Sequence, residues 1–419
     1  MNEIRASGQL GKLINRKLVL NAIKAGPISR AGIAEETGLS PATVSNLTVE
    51  LIDEGLVHET GVVETSRGRP PVLLRINSHA RYVVGVKVMP TALVAVVTDL
   101  DANVVLDRTL DGFGEPESPA DGTHPSPAVV VDRLAQVVDE IVEDAGIKRT
   151  DLLGVGVGLA GIIDSNAGIC RYSPFFGWRD ADLAGPLEAK LGLDVHLAND
   201  VDSLTIAEQW FGHGRRADHF VVITVGRGIG AGFVFNGRFY GGHAGGIGEL
   251  AHVTVAPDGP ACACGKHGCL EALASDVAIV NAARDAVASG AHTTLSTVDD
   301  ITLKTIVASA EQGDAIARDL LASSGRWLGA GIATLVNLLN PQLLIVAGEG
   351  VEAGHWRLDP MRRALDEARF ESLGAAMRLV VESAGDITWA RGAACVVLGE
   401  FFKSPLHQER PTRAVAAPG

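Results

Sequence analysis

The chain has 419 residues, 47% apolar and 21% charged, the balance of a globular protein with two or three cores and not of a disordered or fibrous one. Its formal net charge of −14 divides unevenly: residues 1–78 hold 9 Lys/Arg against 8 Asp/Glu, a net of +1, which leaves −15 for the rest, so only the amino-terminal part tolerates phosphate nearby. The longest apolar stretch, Leu152 to Ile163, contains four glycines and falls short of the roughly 20 residues of a membrane span, while Met1 to Gly11 lacks the apolar core of a signal peptide; no membrane partner and a cytoplasmic location are expected.

In chain order, Leu18, Val19, Ala22 and Ile23 recur at helical spacing from Asn15 to Lys24, and Ala25-Gly26-Pro27 ends that helix. Ser29 caps a second helix, Arg30 to Thr37, and Gly38 supplies the left-handed residue of a tight turn, Gly38-Leu39-Ser40. Ser40-Pro41 then starts a third helix ending at Gly55, with Val44, Leu47, Leu51 and Ile52 as its buried stripe. The outward positions Ala42, Thr43, Ser45, Asn46 and Thr48 are short, as a helix entering a DNA major groove requires near its start. Two apolar runs, Leu56 to Glu59 and Val72 to Ile76, flank Ser66-Arg67-Gly68-Arg69-Pro70 and predict a β-wing. Its glycine lets the backbone approach DNA while Arg67 and Arg69 reach phosphate or minor groove. A winged helix-turn-helix over residues 1–78 with DNA as partner is the expectation; a small interaction module with a solvated basic loop is the bland alternative.

After Asn77 the pattern turns to strands: Tyr82 to Val88, Leu93 to Asp99 and Val104 to Leu110 predict a meander. Asp111 to Pro127, rich in Gly, Pro, Asp and Glu, predicts a mobile insertion. A helix from Val131 to Ala145, a buried strand from Leu152 to Leu159, further strands at Phe220 to Thr224, Gly232 to Phe235 and Leu343 to Ala347, and a long helix from Ala315 to Leu338 continue an α/β layout. A last helix spans roughly Trp389 to Phe402, and the tail Lys403 to Gly419 carries no apolar face, so disorder is expected there. Three of the five cysteines, Cys262, Cys264 and Cys269, crowd into one glycine-containing loop whose short spacings let three thiolates converge on one ion, which favours a metal site over a disulfide framework.

Gly248-Glu249-Leu250-Ala251-His252 followed by Cys262-Ala263-Cys264-Gly265-Lys266-His267-Gly268-Cys269-Leu270-Glu271 resembles the motif of the ROK family (repressors, open reading frames and kinases), and the resemblance covers nearly the whole chain. It implies an α/β body of the two-lobed actin-like, sugar kinase/ribonuclease H-like fold. The expected divisions are a small lobe over 79–198 with helix 389–402, and a large lobe over 199–388 carrying zinc and sugar. His252 is implied as the fourth ligand beside Cys262, Cys264 and Cys269, with His267 the local rival. A closed Cys3His set is structural zinc, not a hydrolytic centre. Asn199, Asp200, Glu249, His252 and Glu271 are implied around a sugar, with the two nitrogens of His252 split between zinc and a sugar hydroxyl. Gly161 is either a backbone contact to the sugar or a simple turn residue, and Asp200 taken alone reads as a helix N-cap.

In kinases of the family Asp200 would be the base that takes a proton from the sugar hydroxyl. Phosphoryl transfer there also uses an Asp-x-Gly-Gly-Thr turn, where this chain reads Lys87-Val88-Met89-Pro90-Thr91, adding bulk and removing a backbone donor. The second phosphate loop, Gly226 to Gly232, keeps its glycines but carries Arg227 in place of the usual threonine. Asp200 therefore reads as a retained sugar acceptor, with no catalytic residue and no enzyme activity expected. The function expected is a sugar-responsive transcriptional regulator, most often a repressor of carbohydrate-use genes. Sugar bound between lobes would alter DNA affinity in a homodimer or homotetramer. The competing readings are an ATP-dependent, glucokinase-like enzyme with a DNA-binding arm and a DNA-independent zinc scaffold.

Overall fold

A computed structural model describes residues 2–62, 71–113, 124–243 and 245–403, without the side chains of 2–7 and 62. The chain divides into two compact units, one of Met1–Leu159, Ser165–Ala198 and Ala393–Gly419, the other of Ala160–Asp164 and Asn199–Gly392.

The first unit begins with α1 (Asn2–Ala25), whose Val19, Leu20, Ala22 and Ile23 are buried. The helix starts at Asn2 and not at Asn15: no proline interrupts the segment, and glycines such as Gly8 and Gly11 each cost only about 1 kcal/mol inside a helix. A short strand, β1 (Ile28–Ser29), precedes α2 (Arg30–Thr37), where Ser29 Oγ accepts the Gly32 N–H at 3.1 Å and Gly38 ends the helix at φ 70°. In α3 (Pro41–Asp53) Ser40 Oγ accepts the Thr43 N–H at 3.2 Å. The antiparallel strands β2 (Val57–Val62) and β3 (Val72–Ile76) register Val57 with Ile76, and β1 joins at β3. Together these form the expected winged helix-turn-helix, with β2 running past the predicted Glu59. The wing tip with Arg67 and Arg69 lies outside the described residues.

The meander follows as β4 (Tyr82–Val88), β5 (Ala92–Thr98) and β6 (Val104–Asp111). Helix α4 (Pro127–Asp144) starts at the Ser126 cap, four residues before the expected Val131, because proline at its first turn extends it. Most of the predicted insertion, 114–123, lies outside the described residues. Strand β7 (Leu152–Leu159) runs parallel to β4. After β8 (Ile162–Asp164), which belongs to the second unit, come the antiparallel pair β9 (Ile169–Tyr172) and β10 (Arg179–Asp182), α5 (Ala184–Leu191) and β11 (Val195–Asn199). The sheet order is β11-β7-β4-β5-β6.

The second unit repeats the theme. Helix α6 (Asp200–Phe211) leads to the hairpin β12 (Phe220–Val225) and β13 (Ile229–Phe235), then β14 (Arg238–Phe239). The helices α7 (Leu270–Ala274), α8 (Asp276–Ala288), α9 (Leu303–Glu311) and α10 (Ala315–Leu339) follow. The chain continues through β15 (Leu343–Ala347), α11 (His355–Ala368), β16 (Arg378–Glu382) and α12 (Asp386–Phe402). The sheet order is β14-β13-β12-β15-β16, with β12 antiparallel to β13 and β15 parallel to both β12 and β16. Val221, Ile223, Leu328, Ile332, Val336, Leu344, Val346 and Met361 form one core, at roughly 1.5–3 kcal/mol for each fully buried side chain of this size. Helix α10 reaches α11 through Gly325, where a Cβ would overlap the Arg357 carbonyl oxygen. Among the described residues no helix is long and apolar enough to cross a membrane.

Candidate DNA-reading face, metal centre and carboxylate site

On α3 the tight turn before Ser40 and the apolar stripe Val44, Leu47 and Leu51 decide which side faces out. Ala42, Ser45, Asn46 and Val49 are exposed, three or four residues apart on one helical face. Thr43 is half-buried, its hydroxyl 2.9 Å from that of Ser40. Thr48, expected outward, is fully buried: its hydroxyl accepts Arg30 Nε at 3.0 Å and donates to the Ser45 carbonyl at 3.0 Å. Arg30 also pairs with Glu59 at 2.9 Å, so the polar residue serves to lock α2 and α3 together. Val49, 48% exposed, takes the outward place, a position that helical periodicity would have found had the turn been phased on Asn46.

The cysteine loop folds as a knuckle. Cys262 N–H donates to the Lys266 carbonyl at 2.8 Å and Gly265 N–H to the Cys262 carbonyl at 3.0 Å. Gly268 has φ 64°, and a Cβ there would overlap the Ala256 carbonyl oxygen. Isolated bridges join Thr254 to Cys269 and Ala261 to His267. His252 ends a one-turn 3-10 helix, Leu250–His252, and the ligand atoms of His252, Cys262, Cys264 and Cys269 all lie within 4.8 Å of one another, the only such group among the described residues. His267, the rival, is exposed and outside the cluster. Cys262 Sγ is 3.6 Å from His252 Nδ1, and Cys264 Sγ is 3.7 Å from Cys269 Sγ. A tetrahedral zinc with Zn–S about 2.3 Å and Zn–N about 2.0 Å needs edges of about 3.6 Å and 3.8 Å. The four residues fit the metal. Burial pushes the Cys262 thiol up to about 11, while the Lys266 backbone N–H pulls Cys264 down.

The residues that the resemblance assigns to sugar converge beside this cluster. Asn199, not Asp200, is the N-cap of α6: its Oδ1 accepts the Val201 N–H at 2.8 Å and its Nδ2 donates to the Gly161 carbonyl at 2.8 Å. One amide proton of Asn199 remains for a ligand. Gly161 is thus a partner of Asn199 through its carbonyl. His252, with Nδ1 on the sulfur side, places Nε2 3.8 Å from Glu249 Oε2. Glu249 is raised by burial, opposed by His252 and reinforced by the charge of Glu271. Glu271, in the first turn of α7, lies against Gly228, where a Cβ would sit 2.9 Å from Oε2.

One residue of this set escaped the sequence reading. Asp202, 8% exposed, is pushed up to about 7 by burial first and then by the charges of Asp200 and Glu249. It stands two positions after Asp200 on the same helix, and a lone aspartate in a first turn carries no signal beyond favourable capping. Only packing reveals that it faces carboxylates.

The turn at Lys87 to Thr91 closes a plain β4–β5 hairpin. Met89 N–H is spent on the Ala92 carbonyl at 3.0 Å, proline has no N–H, and the Pro90 carbonyl accepts the Phe113 N–H at 2.6 Å.

The family model described as ROK family matches residues 83–400. The chain belongs to the ROK family. It is 30% identical over 393 residues to the xylose repressor of Bacillus subtilis (strain 168), covering 93% of this chain and 96% of that protein. A solved ROK family transcriptional regulator, a homologue of the Escherichia coli MLC protein, superposes with TM-score 0.82 at 30% identity, covering 94% of this chain and 97% of its own. A ROK family glucokinase from Streptomyces griseus, solved with glucose and AMPPNP, superposes with TM-score 0.63 at 29% identity and covers 75% of this chain and 98% of its own.

Proposed function

We propose that this ROK family member is a sugar-responsive, DNA-binding transcriptional repressor. One observation carries the reading: the regulator's structure follows 94% of the chain, too large a share to omit the amino-terminal helices, whereas the glucokinase follows 75%. Ala42, Thr43, Ser45 and Asn46, with Arg67 and Arg69, are the DNA-contacting residues of this reading. Asn199, Asp200, Glu249, His252 and Glu271 hold the sugar. Carboxylates suit a ligand that presents several hydroxyl donors, because each oxygen accepts without demanding a proton.

His252, Cys262, Cys264 and Cys269 hold a structural zinc, whose charge keeps three thiolates deprotonated. The imidazole is oriented by that set, so the Nε2 edge points at Glu249 and the sugar. The chain works in the cytoplasm as a homodimer or homotetramer. Sugar must bind the DNA-competent and DNA-released states unequally to act. Within the first unit, helix α12 ends against α1. Its final carbonyls, of Phe401 and Phe402, accept Lys17 Nζ and, at 3.0 Å, Asn21 Nδ2 of α1.

Asp200 acts here as an acceptor for a sugar hydroxyl and not as a catalytic base, because the Met89-Pro90 turn offers neither the space nor the N–H groups for phosphate. Gel shifts on the chain's own promoter DNA, with and without a panel of free sugars, test the reading. Release by at least one sugar is expected, and binding that no sugar alters would overturn it. A coupled ATP assay is expected to give no sugar phosphate at ordinary kinase rates.

A further inference from the structure

The β12–β13 hairpin pairs Val225 with Ile229 and leaves Gly226-Arg227-Gly228 at its tip. Gly226 N–H turns inward to the Gly228 carbonyl at 3.0 Å. The Arg227 backbone N–H instead donates, at 3.2 Å, to Oε1 of Glu349, which opens the 3-10 turn Glu349–Ala353 after β15. That carboxylate lies flat against the tip, so a Cβ on Gly226 would overlap its Oε1 and Cδ. A glycine tip that offers backbone N–H to an oxyanion is how many proteins hold phosphate. Here the oxyanion is the chain's own.

Both sides of this contact are built on one buried pair. Arg357, fully buried, donates to Asp276 Oδ1 at 2.6 Å and to the Gly350 carbonyl, next to Glu349, at 3.1 Å. Asp276 in turn donates its backbone N–H to the Gly226 carbonyl at 2.8 Å. The arginine thus fixes the backbone that carries Glu349 against the backbone that receives it. Gly228, at the other end of the tip, faces Glu271 of the carboxylate set, so the tip separates the sugar residues from the place Glu349 fills.

We propose that Glu349 occupies and closes the second phosphate loop at its Gly226–Gly228 tip, making Glu349 a barrier to phosphoryl ligands, in addition to the Met89-Pro90 turn, in a body that takes free sugar. Two effects act together. The carboxylate fills the volume over Gly226, and its charge repels a second anion at contact distance. Glu349 is itself exposed, so solvent reaches the site and a probe can enter once the carboxylate is removed. The site is distinct from the Met89-Pro90 turn, and the proposal rests on the reading above that the body takes free sugar.

Isothermal titration of the full-length protein with pyrophosphate is the test, on wild type, Glu349→Ala and Glu349→Gln. Glu349→Ala is expected to bind at least about tenfold more tightly than wild type, since it removes both volume and a like charge. Glu349→Gln, which keeps the volume, is expected to gain a smaller factor and serves if the alanine variant folds poorly. No gain in either variant, with the fold verified by circular dichroism, would overturn the proposal, as would wild-type binding as tight as that of the alanine variant. Sugar-dependent release of DNA is a separate readout, so its failure and this one are distinguishable.

Discussion

The cysteine loop and the carboxylate set meet at His252 and are assembled in opposite ways. Cys262, Cys264 and Cys269 reach one point through a single knuckle, and the cation they imply satisfies them. Asp200, Asp202, Glu249 and Glu271 come from three segments and repel one another, with Asp202 and Glu249 both raised by burial and by neighbouring negative charge. The first region is complete once a metal is bound. The second holds unspent electrostatic free energy, which the hydroxyl-rich ligand proposed above would relieve. Local spacing suffices for soft ligands around an ion, whereas a pocket for hydroxyls is a property of tertiary packing.

The comparison can be broken most forcefully at the metal. Cys269→Ser, or a strong chelator, is expected to destabilise the second unit by several kcal/mol, since metal binding at such sites contributes directly to folding, and to abolish sugar binding through loss of His252 orientation; differential scanning calorimetry with and without zinc checks it. An unchanged melting temperature after complete metal removal would break the contrast.

Asp202→Asn addresses the other region. The wild-type carboxyl is raised to about 7, so its cost to stability is absent at low pH and grows as pH climbs from about 4 to 7, where the folded state resists ionisation. Above pH 7 the variant should be more stable than wild type by on the order of 4 kcal/mol. The two should converge below about pH 4, measured by urea titrations across pH. A gap independent of pH would show that Asp202 is not held among like charges.

Glu271→Gln sharpens the comparison further. It keeps the shape but removes one charge, and should weaken sugar binding by about 1–3 kcal/mol while leaving zinc content unchanged by metal analysis. Loss of zinc in this variant would mean that the two regions are one. The smallest effect belongs to a control far from both: Ser40→Ala removes the cap of α3 and should cost about 1 kcal/mol, seen as weaker DNA binding with an intact sugar affinity.

Much of this was legible in the residues. Ser29, Gly38, Ser40 and Pro41 specify caps and a turn whose partners lie within three or four positions, and α2 and the start of α3 follow them. The buried strand Leu152–Leu159 and β15 carry apolar runs that only a covered sheet accepts. Thr48 could not be placed, because its burial depends on Arg30 arriving from another helix. The carboxylate of Glu349 could not be matched to Gly226, since the two are brought together by sheet order and by a buried arginine. Asn199 took the capping role that Asp200 alone suggested, because β11 ends one residue before the helix begins.

By itself the sequence determined a helix-turn-helix followed by an α/β body, a cysteine loop able to gather one ion, and a spoiled turn at Met89-Pro90. Each rests on interactions between near neighbours in the chain. The family motif already implied His252 over His267, and the fold brings it to the cysteines; tertiary structure alone decided that Asp202 is pressed among carboxylates and that Glu349 seats itself on the glycine tip. Those outcomes depend on which distant segments share a buried volume, and there desolvation and charge, not local spacing, set the arrangement.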